Sequence, residues 1–204
     1  TREKVVMNTR FGESYAQQGA FEDYQQFIRR REKYGADLPD GVLLLTCAVD
    51  TQDNRLEYEI TGWGYGEECW GICKGVILGE PDNNATWDAL DAVLDKIYHF
   101  KNGTGLKVAR AFIDSGGHYT SKVYEYCEKN YSKQRFAIKG TAGTPGIPLN
   151  YKIGKASGSK IPLVMLGVDD GKQQVMNRLA IEEPGAKYFH FPLDEELLGT
   201  RGYD

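Results

Sequence analysis

Hydrophobic residues in this chain form short runs that have the length and composition of β-strands. The most apolar run covers residues 41–50 and ends on a carboxylate, Asp50. A run this short and this apolar predicts a strand buried on both faces, near the middle of a sheet. A second β-prone run covers residues 107–114 and also ends on an aspartate. If the two strands are parallel neighbours, Asp50 and Asp114 meet at one edge of the sheet.

The remaining pattern predicts an α/β fold. Apolar and polar residues alternate over 55–64, which predicts a second strand, and a β-prone run at 69–78 predicts a third. Together with the first strand they predict an antiparallel meander. Further elements follow in order: a helix over 86–100 capped by Thr86, the strand to Asp114, a helix over 120–130, strands at 135–139 and 161–168, a helix from 169, and a strand at 188–192. We therefore expect a mixed sheet, an antiparallel meander plus parallel strands, flanked by helices.

The first part of the chain differs from the rest in composition. Residues 1–20 are polar, residues 21–34 have helical periodicity, and a Gly- and Pro-containing linker follows. We predict an N-terminal arm or linker over residues 1–38 and one domain over residues 39–204. The chain does not begin with Met, from which we expect a fragment of a longer protein.

The charge of the chain is unevenly distributed. Its net charge is −4, yet residues 115–165 hold eight basic and two acidic side chains, and eight minus two gives a local charge of +6. A basic flank beside an acidic edge suits a phosphodiester substrate, and the alternative is a solvated surface. No apolar stretch approaches the ~20 residues of a membrane span. The four cysteines indicate a reducing compartment rather than a disulfide framework.

Asp50, Asp114 and a third acid are the candidates for chemistry. Two-metal phosphodiester hydrolysis uses oxygen ligands that hold two cations roughly 3.5–4 Å apart, and carboxylates suit Mg²⁺ or Mn²⁺. Asp169 is our candidate for the third position, although an aspartate at the start of a helix is more simply an N-cap. Glu57 and Glu59 share one face of their strand and either approach a metal or face solvent. Acids on the first and fourth strands of such a sheet are the layout of ribonuclease H-like nucleases.

Other motifs carry weaker predictions. Residues 167–173 fail as a phosphate-binding P-loop because the glycine spacing is one residue short and Gln173 replaces Ser or Thr, so no ATPase is expected. His118 either orients a water or is a surface histidine. Lys139, at a strand end, either reaches the scissile phosphate or faces solvent.

An ordered set of short motifs resembles the nuclease half of the lambda-type phage terminase large subunit. The motifs are CAVDTQ at 47–52, TGWG at 61–64, IDSGG at 113–117, IKG at 138–140, LGVD at 166–169, HFP at 190–192 and RGYD at 201–204. The resemblance runs from about residue 5 to the end of the chain.

The resemblance implies a ribonuclease H-like endonuclease that cuts concatemeric double-stranded DNA in the cytoplasm of a bacterial host. It implies two Mg or Mn ions, with Asp50 and Asp114 as the first two metal-binding acids. It further implies three partners: the terminase ATPase domain, the small terminase subunit and the procapsid portal. The third acid of such enzymes is expected on a far C-terminal helix beyond Asp204, with Asp169 as the fallback. Lys139, Lys152, Lys155 and Lys160 are the candidate DNA contacts.

Two other functions fit the same pattern. The first is a non-catalytic module that keeps the fold and binds DNA or a packaging partner. The second is a resolvase- or transposase-type nuclease, which would prefer branched or end-specific substrates.

Overall fold

The computed structural model describes residues 28–142, 147–156 and 160–193. The chain divides into two compact units, Thr1–Arg30 and Arg31–Asp204. This division falls before the predicted boundary at 38/39, and the assignment of residues 1–38 as an arm stays a prediction. Most of the predicted helix over 21–34, and the RGYD motif, lie outside the described residues.

The described residues form a nine-stranded mixed sheet flanked by helices. The strands are β1 (Arg31–Glu32), β2 (Leu44–Thr51), β3 (Arg55–Trp63), β4 (Cys69–Leu78), β5 (Tyr98–His99), β6 (Gly105–Leu106), β7 (Val108–Asp114), β8 (Arg135–Thr141), β9 (Asn150–Lys155), β10 (Pro162–Gly167) and β11 (Phe189–Pro192). The helices are α1 (Asn84–Asp95), α2 (Thr120–Lys129) and α3 (Val168–Leu179), and short 3₁₀ turns cover Tyr65–Glu67 and Tyr131–Lys133. Strands β5 and β6 pair with each other, outside the main sheet.

The sheet combines the two predicted strand arrangements. Its order is β1-β11-β4-β3-β2-β7-β8-β10-β9. Strands β2, β3 and β4 form the antiparallel meander, whereas β2, β7, β8 and β10 run parallel to one another. This confirms the predicted α/β ribonuclease H-like architecture, with β2 in the middle of the sheet.

The central strand β2 is buried on one face only, so the prediction of two buried faces is wrong. Leu45, Cys47 and Val49 are buried in the core, whereas Leu44 and Asp50, on the other face, are exposed. Helices α1 and α2 both contribute to the core that covers the first face. Helix α3 lies across the second face without burying a residue, and we call this face, which carries Leu44 and Asp50, the open face.

Helix α1 begins and ends earlier than its pattern predicts. Its N-cap is Asn83, whose side chain accepts a hydrogen bond from the Ala85 amide at 3.0 Å. Thr86, the predicted cap, is buried and donates its hydroxyl to the Glu80 carbonyl at 3.0 Å. The predicted extension to residue 100 is also wrong, because Tyr98 pairs with Leu106 as a strand.

The predicted helix over 21–34 is wrong at its C-terminal end, where Arg31–Glu32 forms β1 parallel to β11. Side-chain contacts reinforce this pairing. The Arg31 guanidinium donates to the Pro192 carbonyl at 3.1 Å, and the His190 imidazole contacts the carboxylates of Glu32 and Glu68. These long-range contacts override the local helical periodicity.

The four cysteines are free thiols. Burial raises the pKa of Cys47 and of Cys127 to about 12, which keeps both thiols protonated and unreactive near neutral pH. Both therefore act as small apolar core residues. None of the helices in the described ranges has the length and apolar character needed to cross a membrane.

Candidate active site

Asp50 and Asp114 lie side by side on the open face of the sheet. Strands β2 and β7 are parallel, and Val49 pairs with Ile113, so the next residue of each strand is an aspartate. Side chains alternate along a strand, which places Asp50 and Asp114 on the face opposite the buried Val49 and Ile113. Both aspartates line the same cleft. The structure thus brings the two predicted acids together at the carboxyl ends of neighbouring strands.

The cleft has a volume of about 810 Å³ and lies between the sheet and α3. Strands β2, β7, β8 and β10 contribute to one side, and α3 forms much of the other. Most lining side chains are apolar, among them Ile138, Leu149, Leu166, Val175 and Met176. Among the described residues that line it, the charged ones are Asp50, Asp114 and Lys172.

Each aspartate is oriented through one of its two oxygens. The Gln52 side-chain amide donates to Oδ2 of Asp50, and the Gly116 backbone amide donates to Oδ1 of Asp114 at 3.0 Å. The Thr51 hydroxyl donates to the Asp114 carbonyl at 2.9 Å, which joins the ends of the two strands. Oδ1 of Asp50 and Oδ2 of Asp114 accept no hydrogen bond from a described residue. These two oxygens are available to a ligand.

The turn after Asp114 is held close to the sheet. The Ser115 amide and hydroxyl both donate to the Ile138 carbonyl, at 2.9 and 2.7 Å. At Gly116, a Cβ would lie 3.3 Å from Oδ1 of Asp114, so a larger residue would crowd the carboxylate. The turn therefore fixes the backbone that donates to Asp114.

Glu57 and Glu59 share the open face with Asp50. In the pairing of β2 with β3, Asp50 lies opposite Glu57, and Ala48 lies opposite Glu59. They line a second hollow of about 530 Å³, which also includes Lys74. Glu57 accepts a hydrogen bond from the Arg55 guanidinium at 2.6 Å. In the described ranges, no three His, Cys, Asp or Glu residues are grouped so that they could hold a metal ion.

Asp169 lies in the first turn of α3 rather than at a strand end. Strand β10 ends at Gly167, which is also the N-cap of α3, so the N-cap interpretation of Asp169 is wrong. Asp169 and Asp170 instead place negative charge at the positive end of the helix dipole. Asp169 is exposed and does not line the cleft with Asp50 and Asp114. Its role as the third metal-binding acid stays a prediction.

The four candidate DNA-binding lysines do not share one face. On β8, Ile138 and Gly140 line the cleft, so the alternation of side chains sends Lys139 to the opposite face. On β9, Lys152 pairs with Met165 and Lys155 with Pro162, and residues three apart on a strand face opposite sides. Lys155 lies beside Pro162, the first residue of β10. By alternation along β10, it is on the same face of the sheet as Leu166, which lines the cleft. Lys160 is exposed before that strand.

His118 is a surface histidine paired with a carboxylate. Its Nδ1 lies 2.9 Å from Oδ1 of Asp53, and both side chains are largely exposed. The hydrogen bond to Asp53 raises the pKa of His118 above its usual value, because the carboxylate favours the imidazolium. His118 does not line the cleft that holds the two aspartates.

Replacing Asp53 with asparagine should lower the pKa of His118 toward the value of a free histidine. The imidazolium then loses its charged acceptor, so the ring deprotonates at lower pH. An NMR titration of the His118 ring protons measures this directly. As a control, Asp40→Asn removes a carboxylate elsewhere and should leave the titration unchanged. Equal midpoints in Asp53→Asn and the parent chain would contradict the pairing.

Comparison with known proteins shows which family the chain belongs to. The family model described as "Terminase large subunit gpA, endonuclease domain" matches residues 2–199. The chain is 32% identical over 202 residues to the "Terminase, large subunit" of Escherichia phage lambda, covering 97% of this chain and 31% of that protein. It is 29% identical over 201 residues to the "Terminase, large subunit" of Enterobacteria phage P21, covering 96% and 31% respectively. No solved structure matches the chain.

The fold and the matched family define an endonuclease domain, a hydrolase class that cuts nucleic-acid chains internally. The chain belongs to the family of terminase large subunit gpA endonuclease domains. This confirms the resemblance seen in the ordered motifs. The chain spans about a third, 31%, of the length of these two phage relatives.

Sequence reasoning missed Lys172 as a site residue. The sequence predicts a helix from residue 169 and excludes a P-loop at 167–173, but neither result assigns a role to Lys172. The feature of the sequence that could have identified Lys172 is its position in a helix that directly follows one of the parallel strands.

Proposed function

We propose that this chain cuts concatemeric double-stranded DNA as a divalent-metal-dependent endonuclease, with Asp50 and Asp114 as ligands for Mg²⁺ or Mn²⁺. The observation that carries the proposal is the pair of strand-end aspartates in one cleft, each with an oxygen that no described residue occupies. Two adjacent carboxylates repel each other, and a divalent cation relieves that repulsion. Family membership supports nuclease activity, and this donor set supports the choice of metal.

The residues of the chain fit such a cation. Carboxylate oxygens are the ligands that Mg²⁺ and Mn²⁺ prefer. A bound pair of ions supplies Lewis acidity and neutralises charge on the phosphate during hydrolysis. Gln52 and the Gly116 amide hold the two carboxylates in position at a cleft whose walls are mostly apolar.

The third ligand and the DNA contacts belong to the same proposal. Asp169 is the candidate on this chain, and Glu57 lies beside Asp50 on the open face. Positive charge lies at or near β8, β9 and β10, and it favours the binding of a polyanion such as DNA. The residues that carry it are Lys139, Lys152, Lys155 and Lys160. Their division between two faces indicates contacts spread along the duplex rather than a single phosphate site.

The remaining parts of the proposal follow from the relatives. Because the named relatives are terminase large subunits, we assign this domain to a DNA-packaging machine in the cytoplasm of a bacterial host. Its partners there are the terminase ATPase domain, the small terminase subunit and the procapsid portal.

Cleavage of supercoiled plasmid across Mg²⁺, Mn²⁺ and EDTA tests the proposal, together with calorimetric titration of Mn²⁺ into the chain. We expect nicked and linear products with Mg²⁺ or Mn²⁺, none with EDTA, and heat from ion binding. Cleavage that is equal in EDTA would contradict the metal requirement.

A non-catalytic DNA-binding module is the second candidate. The observation that favours it is the lack of a three-ligand group in the described residues. Plasmid that is retarded in a gel but stays uncut at every metal concentration would establish this alternative and overturn the endonuclease proposal for this chain.

A further inference from the structure

Helix α3 presents one stripe of residues to the cleft. The stripe is Val168, Gly171, Lys172, Val175 and Met176. These positions follow the i, i+3, i+4, i+7, i+8 spacing of a single helix face. Lys172 is the charged residue of this stripe, and its exposed side chain lines the cleft.

Both ends of α3 are fastened to the rest of the domain. At its start, the Gly167 amide donates to the Leu149 carbonyl at 2.9 Å. A Cβ on Gly167 would lie 2.4 Å from the Ile147 carbonyl oxygen, so the approach of this backbone requires glycine. At its end, the Arg178 guanidinium donates to the Glu67 carbonyl at 2.9 Å and also pairs with the Glu67 carboxylate.

The Arg178 guanidinium further lies over the Trp63 ring, 5.6 Å from its centre. Trp63 ends β3 and Glu67 belongs to the 3₁₀ turn that follows, so Arg178 ties α3 to the meander. Gly167 ties the other end to Leu149, the residue before β9. The stripe that contains Lys172 is therefore held across the open face of the sheet, and Lys172 is kept in the cleft.

The charges of the cleft fit a phosphodiester. Two acids line the sheet side and one cation lines the helix side. Lys172 is exposed and forms no ion pair with any described residue. Its three N–H donors are available to a negatively charged ligand that enters the cleft.

We propose that Lys172 binds a non-bridging phosphate oxygen of the DNA strand while Asp50 and Asp114 hold the metal on the opposite side of the cleft. This inference rests on the proposed endonuclease function and names a substrate-binding residue for it. Arg178 is a positioning residue, because it acts through α3 and does not line the cleft.

Lys172→Ala tests the assignment, with Lys172→Arg as the conservative variant. Lys101→Ala is the matched control, because it removes an exposed lysine outside the cleft. DNA affinity is measured by fluorescence anisotropy on a short duplex in EDTA at several salt concentrations. We expect Lys172→Ala to weaken DNA binding about tenfold, the effect of one charge-assisted contact. The magnitude of the slope of log association constant against log salt concentration should decrease by about 0.9, the effect of one lost phosphate contact.

Lys172→Arg should recover most of the affinity and slope, and Lys101→Ala should keep both within about twofold of the parent chain. A neutral methylphosphonate at the scissile position should penalise cleavage by the parent more than cleavage by Lys172→Ala. Unchanged affinity and slope in Lys172→Ala would overturn the assignment. Tighter Mn²⁺ binding by Lys172→Ala, without any loss of DNA affinity, would also overturn the assignment. Lys172 would then act only by neutralising the charge of the two acids.

The two proposals fail in different ways. If metal-dependent cleavage is lost in Asp50→Asn but Lys172→Ala cuts and binds like the parent, only the Lys172 assignment is wrong. If the parent never cuts DNA, the endonuclease proposal is wrong. The anisotropy measurements then still show whether Lys172 contacts a phosphate.

Discussion

Replacing Asp50 with asparagine should lower the rate of metal-dependent plasmid cleavage by about a thousandfold. The side chain keeps its shape and can still accept the hydrogen bond from Gln52, but it loses the charge that attracts the cation. A thousandfold loss of rate corresponds to about 4 kcal/mol of transition-state stabilisation, which is within the several kcal/mol that a bound cation supplies as a Lewis acid. Initial rates of nicking at saturating Mg²⁺ or Mn²⁺ measure the effect.

Asp53→Asn is the matched control for this substitution. Asp53 follows Asp50 by one short turn, carries the same charge, and contacts His118 outside the cleft. We expect Asp53→Asn to cut at the parent rate and Asp114→Asn to be as inactive as Asp50→Asn. Circular dichroism and thermal melting show whether each variant is folded. A folded Asp50→Asn variant that cuts within about threefold of the parent would remove Asp50 from the metal site.

Replacing Leu56 with alanine should destabilise the domain by about 2–5 kcal/mol. Leu56 is 0% exposed in β3 and belongs to the core that supports β2. Truncation removes buried apolar surface and leaves a cavity that the neighbouring strands fill only in part. Urea unfolding followed by fluorescence gives the change in free energy of unfolding.

Leu78→Ala serves as the control because the same chemical change falls on an exposed side chain of the adjacent strand. Leu78 is 80% exposed in β4 and pairs with Arg55, the neighbour of Leu56. Its truncation should change the free energy of unfolding by less than about 0.5 kcal/mol. Similar losses for the two variants would mean that β3 is not packed as described.

The convergence of Asp50 and Asp114 could be predicted because it depends on local features. Each aspartate ends an apolar run, and strands connected through a helix are parallel, so their ends lie at the same edge. The pairing of Val49 with Ile113 places the two aspartates next to each other. Here local pattern and topology agree, and no distant contact alters the outcome.

The position of a side chain relative to the cleft depends on the exact end and register of its element. Strand β10 ends at Gly167 and α3 begins at once, so Asp169 lies in the first helical turn and does not line the cleft. On β8, Ile138 and Gly140 line the cleft and Lys139 faces the other way, because one step along a strand reverses the direction of a side chain. A shift of one or two residues in an end or a register therefore decides whether a side chain lines the cleft, and the periodicity of the sequence does not fix positions that finely.

The sequence by itself determined the α/β class, the order of the long strands and helices, the central position of β2 and the edge at which two aspartates meet. These properties follow from apolar periodicity and from the direction of parallel strands, which are local. Only the tertiary structure decided that α1 and α2 cover the same face, and that α3 crosses the other with Lys172 in the cleft. Those outcomes depend on contacts between distant segments, such as Arg178 with Glu67 and Gly167 with Leu149, which no local pattern of residues specifies.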